Sequence, residues 1–178
     1  MIKLHCITNQ ASPYWDSLVS VYLDAFPIDE QRPVESIARL LTDDTRFVAY
    51  ALIDDTQRFL GLLTAWHFST FTYIEHFALS PTLRSQGYGT EALQTFLKST
   101  SNPIVLEVEP PVDDTARRRI QFYQRCGLTL YDDPYMQPSY TPEGHPVPLC
   151  LMGTLDCQTT PLTQVSQTLH REVYGWEK

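Results

Sequence analysis

The sequence predicts an α+β (mixed α/β) domain: a central mixed, mostly antiparallel, twisted sheet of six to seven strands flanked by helices on both faces. Three observations predict it. The β-rich runs at residues 46–53, 60–69 and 73–79 follow one another across short turns, which makes them antiparallel and hairpin-linked. A helical pattern at residues 90–98 then separates the last of these runs from the apolar run Ile104–Val108, and strand, helix, strand implies parallel pairing. Finally, 178 residues with 43% hydrophobic content can bury one substantial core without metals or disulfides.

Each element follows from local chemistry. Residues 3–8 suit an opening strand. Ser12 before Pro13 supplies an N-cap and a first helical position, with Tyr14, Leu18, Val21, Tyr22 and Ala25 on one face and Pro27 at the end. Pro33 opens a second helix whose apolar stripe is Val34, Ile37, Ala38 and Leu41. Asp43 and Asp44 turn the chain into the first central strand, and Asp54-Asp55-Thr56-Gln57 is a hairpin turn to the next. After residues 73–79 a glycine loop opens the helix that buries Ala92, Leu93, Phe96 and Leu97. Another helix, at about residues 115–126, ends at Gly127, suited to a left-handed C′ position. Strands at residues 128–131 and 148–155 complete the sheet. Thr160-Pro161 starts a C-terminal helix with Leu162, Val165, Leu169 and Val173 on one side. The long irregular stretch at residues 132–146 is rich in Pro, Tyr and Gly, a length that marks a loop as functional or mobile. The division is a single domain over residues 1–155 and a helical extension, residues 156–178, on or beside it.

Composition narrows the classes. Cys6, Cys126, Cys150 and Cys157 show no metal-ligand or Cys-x-x-Cys spacing, so they read as small buried hydrophobes and no metal is expected. The first residues lack a signal-peptide profile and no apolar run reaches membrane-spanning length, so a soluble cytoplasmic protein with no membrane partner is expected. A formal charge of -8 argues against nucleic acid and favours a cationic substrate such as an amine.

The most informative stretch runs from Tyr73 to Thr90. Gly87-Tyr88-Gly89 lets backbone approach an anion with no Cβ in the way, the new helix aims unpaired N–H groups at it, and Arg84 adds a fixed positive charge. No Gly-Lys-Ser/Thr ending follows, so the loop is not a nucleotide-triphosphate P-loop. A Rossmann fingerprint would need one more glycine. What remains, Arg-x-x-Gly-x-Gly after a strand, resembles the GNAT superfamily of acetyl-CoA-dependent N-acetyltransferases. Gly61 and the Phe122-Tyr123-Gln124-Arg125-Cys126-Gly127-Leu128 segment are similar to further family features, over roughly residues 3–155. Ala116 stands where many members carry Asn, and Leu128 replaces the usual Phe. The Arg117-Arg118-Arg119 run reads as a solvated helix face.

The resemblance implies a GNAT fold and acetyl-CoA as co-substrate, its pyrophosphate on the backbone from Ser85 through Gln86, Gly87, Tyr88 and Gly89 to Thr90, beside Arg84. It places the pantetheine arm along Phe77, Ala78 and Leu79, where the fourth and fifth strands splay. Glu75 is the expected general base, sharing a strand face with Tyr73, Phe77 and Leu79, and His76 is the reserve if a bulge reverses the parity. Tyr123 is the expected general acid for the leaving thiolate. Glu30, Tyr135 and Tyr140, with Gln137 and Asp29, are candidates for binding the acceptor amine. The family often forms dimers, with the C-terminal helix a candidate homodimer contact. A catalytically silent acyl-CoA-binding sensor or scaffold is the alternative, against which Glu75 and Tyr123 argue together, since a pure binder needs neither. A third reading makes the glycine loop a mere corner in an unrelated domain.

Overall fold

Alternating apolar residues and turn chemistry produce eight strands and five helices in a computed structural model that describes residues 1–84 and 86–176. In chain order they are β1 (Lys3–Ile7), α1 (Trp15–Ala25), α2 (Val34–Asp43), β2 (Phe47–Ile53), β3 (Phe59–His67), β4 (Thr72–Leu79), α3 (Tyr88–Ser99), β5 (Ile104–Val108), α4 (Asp114–Arg125), β6 (Thr129–Leu130), β7 (Tyr135–Gln137), β8 (Val147–Gly153) and α5 (Leu162–Thr168). A 3-10 turn, Ile28–Glu30, links α1 to α2, and a π turn, Leu169–Val173, extends α5. The sheet order is β1-β2-β3-β4-β5-β8-β6, with β7 paired to β8. All neighbours are antiparallel except β4 and β5.

Each face of the sheet is covered. Leu18, Tyr22, Ile37, Trp66, Val165 and Leu169 join α1, α2 and the C-terminal segment in one core, while Leu63, Ile74, Phe96, Leu106 and Ile120 join α3 and α4 in the other. The caps are visible in the geometry. Asp113 accepts the Ala116 N–H at 2.8 Å to start α4, and Gly127, at φ 96°, closes it.

Several expectations shift. α1 begins with Trp15, two residues beyond Pro13, because the Trp15 N–H bonds the Ser12 carbonyl at 3.1 Å in a preceding turn. The sheet has eight strands where six to seven were expected, since the irregular stretch contains β7. That strand buries Tyr135 and Gln137 around an exposed Met136, an alternation too short to stand out among prolines and tyrosines. Cys6 and Cys157 are exposed, and Cys126 and Cys150 are half-buried against the α3 and α4 core, so none of the four is fully buried. Among the described residues, no helix is long and apolar enough to cross a membrane.

Two irregularities of β4 position the site. Against β3, Ala65 pairs with Ile74 and Thr64 with His76, leaving Glu75 as the extra residue of a bulge. Against β5, pairing ends at Ile74 and Leu106, so the strands part from that level onward. Gly61 on β3 is required for the close approach beside the gap, because a Cβ there would lie 2.3 Å from the Ala78 carbonyl oxygen.

Candidate active site

A cleft of about 640 Å³ runs across the parted strands. One end is walled by Phe77, Leu79, Arg84, Gly87, Gly89 and Tyr123, the other by Phe26, Glu30, His76, Glu107, Gln137 and Tyr140.

At the first end, Gly87 holds φ 86°, a left-handed conformation that would strain any residue with a Cβ, and caps α3. Among the described residues, no backbone carbonyl accepts from the N–H groups of Gln86 to Thr90. Ser85, expected among the cofactor contacts, lies outside the described residues. The β4 edge is open in a specific pattern. The Ser80 N–H bonds the Leu60 carbonyl at 2.9 Å, and antiparallel alternation then turns the main-chain groups of Ala78 and His76 toward β3 and those of Phe77 and Leu79 toward the gap. Such an arrangement suits an anion on a helix start and an extended polar arm beside a strand edge.

The bulge settles which way the β4 side chains face. Tyr73, Glu75, His76 and Ala78 point toward the α1 and α2 side, whereas Phe77 stacks on Phe122 and, with Leu79, packs on the α3 and α4 side. The expected sharing of one face by Glu75, Phe77 and Leu79 is therefore corrected: the extra residue reverses the alternation after position 75.

The Glu75 side chain is 1% exposed. Its Oε1 accepts from Arg32 Nη2 at 2.8 Å, Arg32 Nε at 3.2 Å and the Tyr140 hydroxyl at 2.9 Å, while Oε2 accepts from Trp66 Nε1 at 2.9 Å. Burial works against its charge, but the Arg32 guanidinium and these donors outweigh burial and hold the pKa below the usual carboxylate value. His76 is also committed on both nitrogens, with Nδ1 3.1 Å from the Thr64 hydroxyl and Nε2 3.1 Å from the Glu30 carbonyl. Nε2 must donate to that carbonyl, so Nδ1 accepts from Thr64, and burial keeps the ring neutral by lowering its pKa.

Glu107 is held differently. It follows Leu106, the last β5 residue paired with β4, and its carboxylate accepts from the hydroxyls of Tyr135 and, at 2.8 Å, Tyr174. Behind them the Tyr73 hydroxyl lies 3.0 Å from that of Tyr174. Burial raises the Glu107 pKa to about 7, against the pull of the tyrosine hydroxyls and with the help of the Glu75 charge.

Tyr123 lines the cleft at 8% exposure, and among the described residues its hydroxyl has no hydrogen-bond partner. Burial pushes its pKa up to about 12. Gln137 is 2% exposed, and its Nε2 is buried without a partner among the described residues. Burial also raises the Glu30 pKa.

Residues 15–128 match the model of the acetyltransferase (GNAT) family. The chain belongs to the GNAT acetyltransferase family.

A solved GNAT-family structure from Bacteroides thetaiotaomicron, itself assigned only provisionally as an acetyltransferase, is 34% identical. It covers 98% of this chain and 99% of its own, with a TM-score of 0.92. Bacillus subtilis (strain 168) YjbC, likewise provisionally named an acetyltransferase, is 32% identical over 113 residues. That match takes in 62% of this chain and 54% of YjbC, so the chain spans about half the length of this curated relative. The dodecameric spermidine N-acetyltransferase of Vibrio cholerae shares the GNAT fold, with a TM-score of 0.63 at 11% identity, covering 91% of this chain and 98% of its own.

Of the residues singled out from sequence, the GNAT cleft gathers Glu30, Glu75, Phe77, Ala78, Leu79, Arg84, Gly87, Gly89, Thr90, Tyr123 and Tyr140 on its walls. Gln86 is exposed beside it and bonds the Thr82 carbonyl at 2.8 Å, and Tyr88 packs against the α3 and α4 core. Tyr135 stands behind Glu107 and not on the wall. Asp29 lines a second cavity, of about 330 Å³, with Tyr140 between the two. Arg119 reaches the cleft wall and pairs with Glu109 at 2.6 Å, whereas Arg117 pairs with Asp114 at 2.7 Å on the exposed helix face. Sequence reasoning missed Arg32, Trp66, Tyr174 and Glu107. Only Glu107 carried a signal, as a lone carboxylate inside the apolar run Ile104–Val108.

Proposed function

We propose that this GNAT chain transfers the acetyl group of acetyl-CoA directly to a primary amine of a small molecule or peptide, in a ternary complex without a covalent enzyme intermediate. The observation that carries the reading is the continuity of the cleft, from the glycine loop through the parted strands to a polar end lined by Glu30, Glu107 and Gln137. A diphosphate at the start of α3 would meet the main-chain N–H groups of residues 86–90, the positive end of the helix and the Arg84 charge. The outward main-chain groups of Phe77 and Leu79 would hold the pantetheine arm as an added strand, with an N–H at or beside Leu79 polarising the thioester carbonyl.

Tyr123 is the proposed general acid: its hydroxyl stays protonated below about pH 12 and is free of other partners among the described residues. Glu75 is assigned a structural role in the acceptor wall, because Arg32 already neutralises it and its lowered pKa makes it a weak proton acceptor. Glu30 and Glu107 supply negative charge for a cationic acceptor, and the unpartnered Gln137 amide supplies a hydrogen-bond donor. Calorimetry with acetyl-CoA, followed by thiol release across amines, amino acids, aminoglycosides and peptide N-termini, tests the reading. Binding with release for one amine class is expected; a chain that does not bind acetyl-CoA would overturn it.

A further inference from the structure

We infer that Glu107 is the general base, taking the proton from the acceptor ammonium where β4 and β5 part; this rests on the acetyl-transfer reading above. Three placements carry the inference. Glu107 is the first β5 residue beyond the last β4 partner, so it stands at the apex of the opening through which a thioester on the β4 edge would meet an acceptor. Its side chain faces the α1 and α2 side, the same end of the cleft as Glu30, Gln137 and Tyr140. Its carboxylate is fixed by Tyr135 from β7 and Tyr174 from the C-terminal segment, one hydroxyl on each oxygen, which leaves further lone pairs on each.

The groups facing it from every neighbouring element agree with the role. Tyr73 and Glu75 face it from β4, Tyr135 from β7, Tyr140 from the loop that follows and Tyr174 from the C-terminal segment. The cation Arg32 is already spent on Glu75. Among the described residues no counter-charge therefore pins Glu107 in its ionised form, and its pKa of about 7 lets it accept a proton at neutral pH and release it afterwards. Glu75 and His76, the neighbouring titratable groups, are both held by partners.

The step balances as follows. An ammonium gives one proton to Glu107, and the freed nitrogen lone pair forms a C–N bond to the thioester carbonyl carbon as the carbonyl π pair moves to oxygen. When that pair returns, the C–S bond breaks and sulfur leaves with its electrons. Sulfur takes the Tyr123 proton, the resulting phenolate takes the second nitrogen proton, and Glu107 releases its proton to solvent.

Methylamine and hydroxylamine are the probes, both small enough to bypass acceptor recognition. Methylamine must lose a proton before it can attack, whereas hydroxylamine is already uncharged at neutral pH. Glu107→Gln should slow acetyl transfer to methylamine at least ~100-fold and abolish the acid limb near neutral pH, while sparing transfer to hydroxylamine and acetyl-CoA affinity. Tyr135→Phe removes one donor to the carboxylate and should move the acid limb to higher pH. Should Glu107→Gln not fold, Tyr135→Phe decides alone. An unmoved limb, or equal losses with both amines, overturns the assignment. A wild-type protein that binds acetyl-CoA but acetylates neither amine would instead overturn the acetyl-transfer reading.

Discussion

Replacing Arg32 by Leu should be among the most costly single changes in this chain. The Arg32 and Glu75 side chains are 11% and 1% exposed and meet at 2.8 Å, so removing the cation leaves a buried carboxylate with only the Trp66 and Tyr140 donors. Breaking a buried pair from one side costs about 3–5 kcal/mol. For a chain of this size each kcal/mol moves the melting temperature by roughly 2–4 °C, so a fall of about 6–20 °C is expected. Part of the loss lies outside the ion pair: Arg32 also donates to the Val173 carbonyl at 2.8 Å and lies 4.6 Å from the centre of the Tyr140 ring. Arg32→Leu with Glu75→Gln removes the stranded charge while the amide oxygen can still accept from Trp66 and the amide NH2 donate to the Tyr140 hydroxyl, and should recover about 2 kcal/mol. In the wild type the Glu75 pKa is depressed, so the pair's contribution is fully present above the ordinary carboxylate value and is lost as pH falls through the folded value. Without Arg32 the largest effect opposing burial is gone and that pKa rises, so the deficit of the single variant should shrink on going from about pH 8 to about pH 5. Thermal unfolding of the wild type, single and double variants at both pH values measures all of this. A deficit below about 1 kcal/mol, or a double variant no more stable than the single, would refute the claim that the pair is a buried, coupled unit.

Other changes probe the rest of the site. Gly61→Ala should cost about 1–3 kcal/mol or more by thermal unfolding, because the new Cβ meets backbone 2.3 Å away; a neutral effect would mean that β3 and β4 separate freely. Gly89→Glu should abolish acetyl-CoA binding by calorimetry: a Cβ there has ordinary contacts with Phe122, so the added charge and reach at the anion site must act, and unchanged affinity would count against the loop assignment. Tyr123→Phe should lower turnover roughly 100-fold or more with acetyl-CoA affinity intact, and an equal rate would remove the hydroxyl from the mechanism.

The sequence by itself determined most of the elements and the glycine-loop end of the cleft. The antiparallel run from β2 to β4 and the parallel step at β5 follow from period, turn residues and chain connectivity, which are local properties, whereas the entry of β8 between β5 and β6 appears only in the folded sheet. The opposite end, around Glu75 and Glu107, was decided only in three dimensions. A single extra residue in β4 exchanged the faces of everything after Glu75, and nothing in Tyr73-Ile74-Glu75-His76-Phe77 announces a bulge, since its cause is the register against β3. Burial and partners then divided two carboxylates that look alike in sequence. Arg32, 43 positions away, holds Glu75 ionised, while Tyr174, 67 positions from Glu107, helps to hold a carboxylate that pairs with no cation among the described residues. A side chain's proton affinity is set by the groups within a few ångströms of it, and the chain brings those together from distant positions only when it folds.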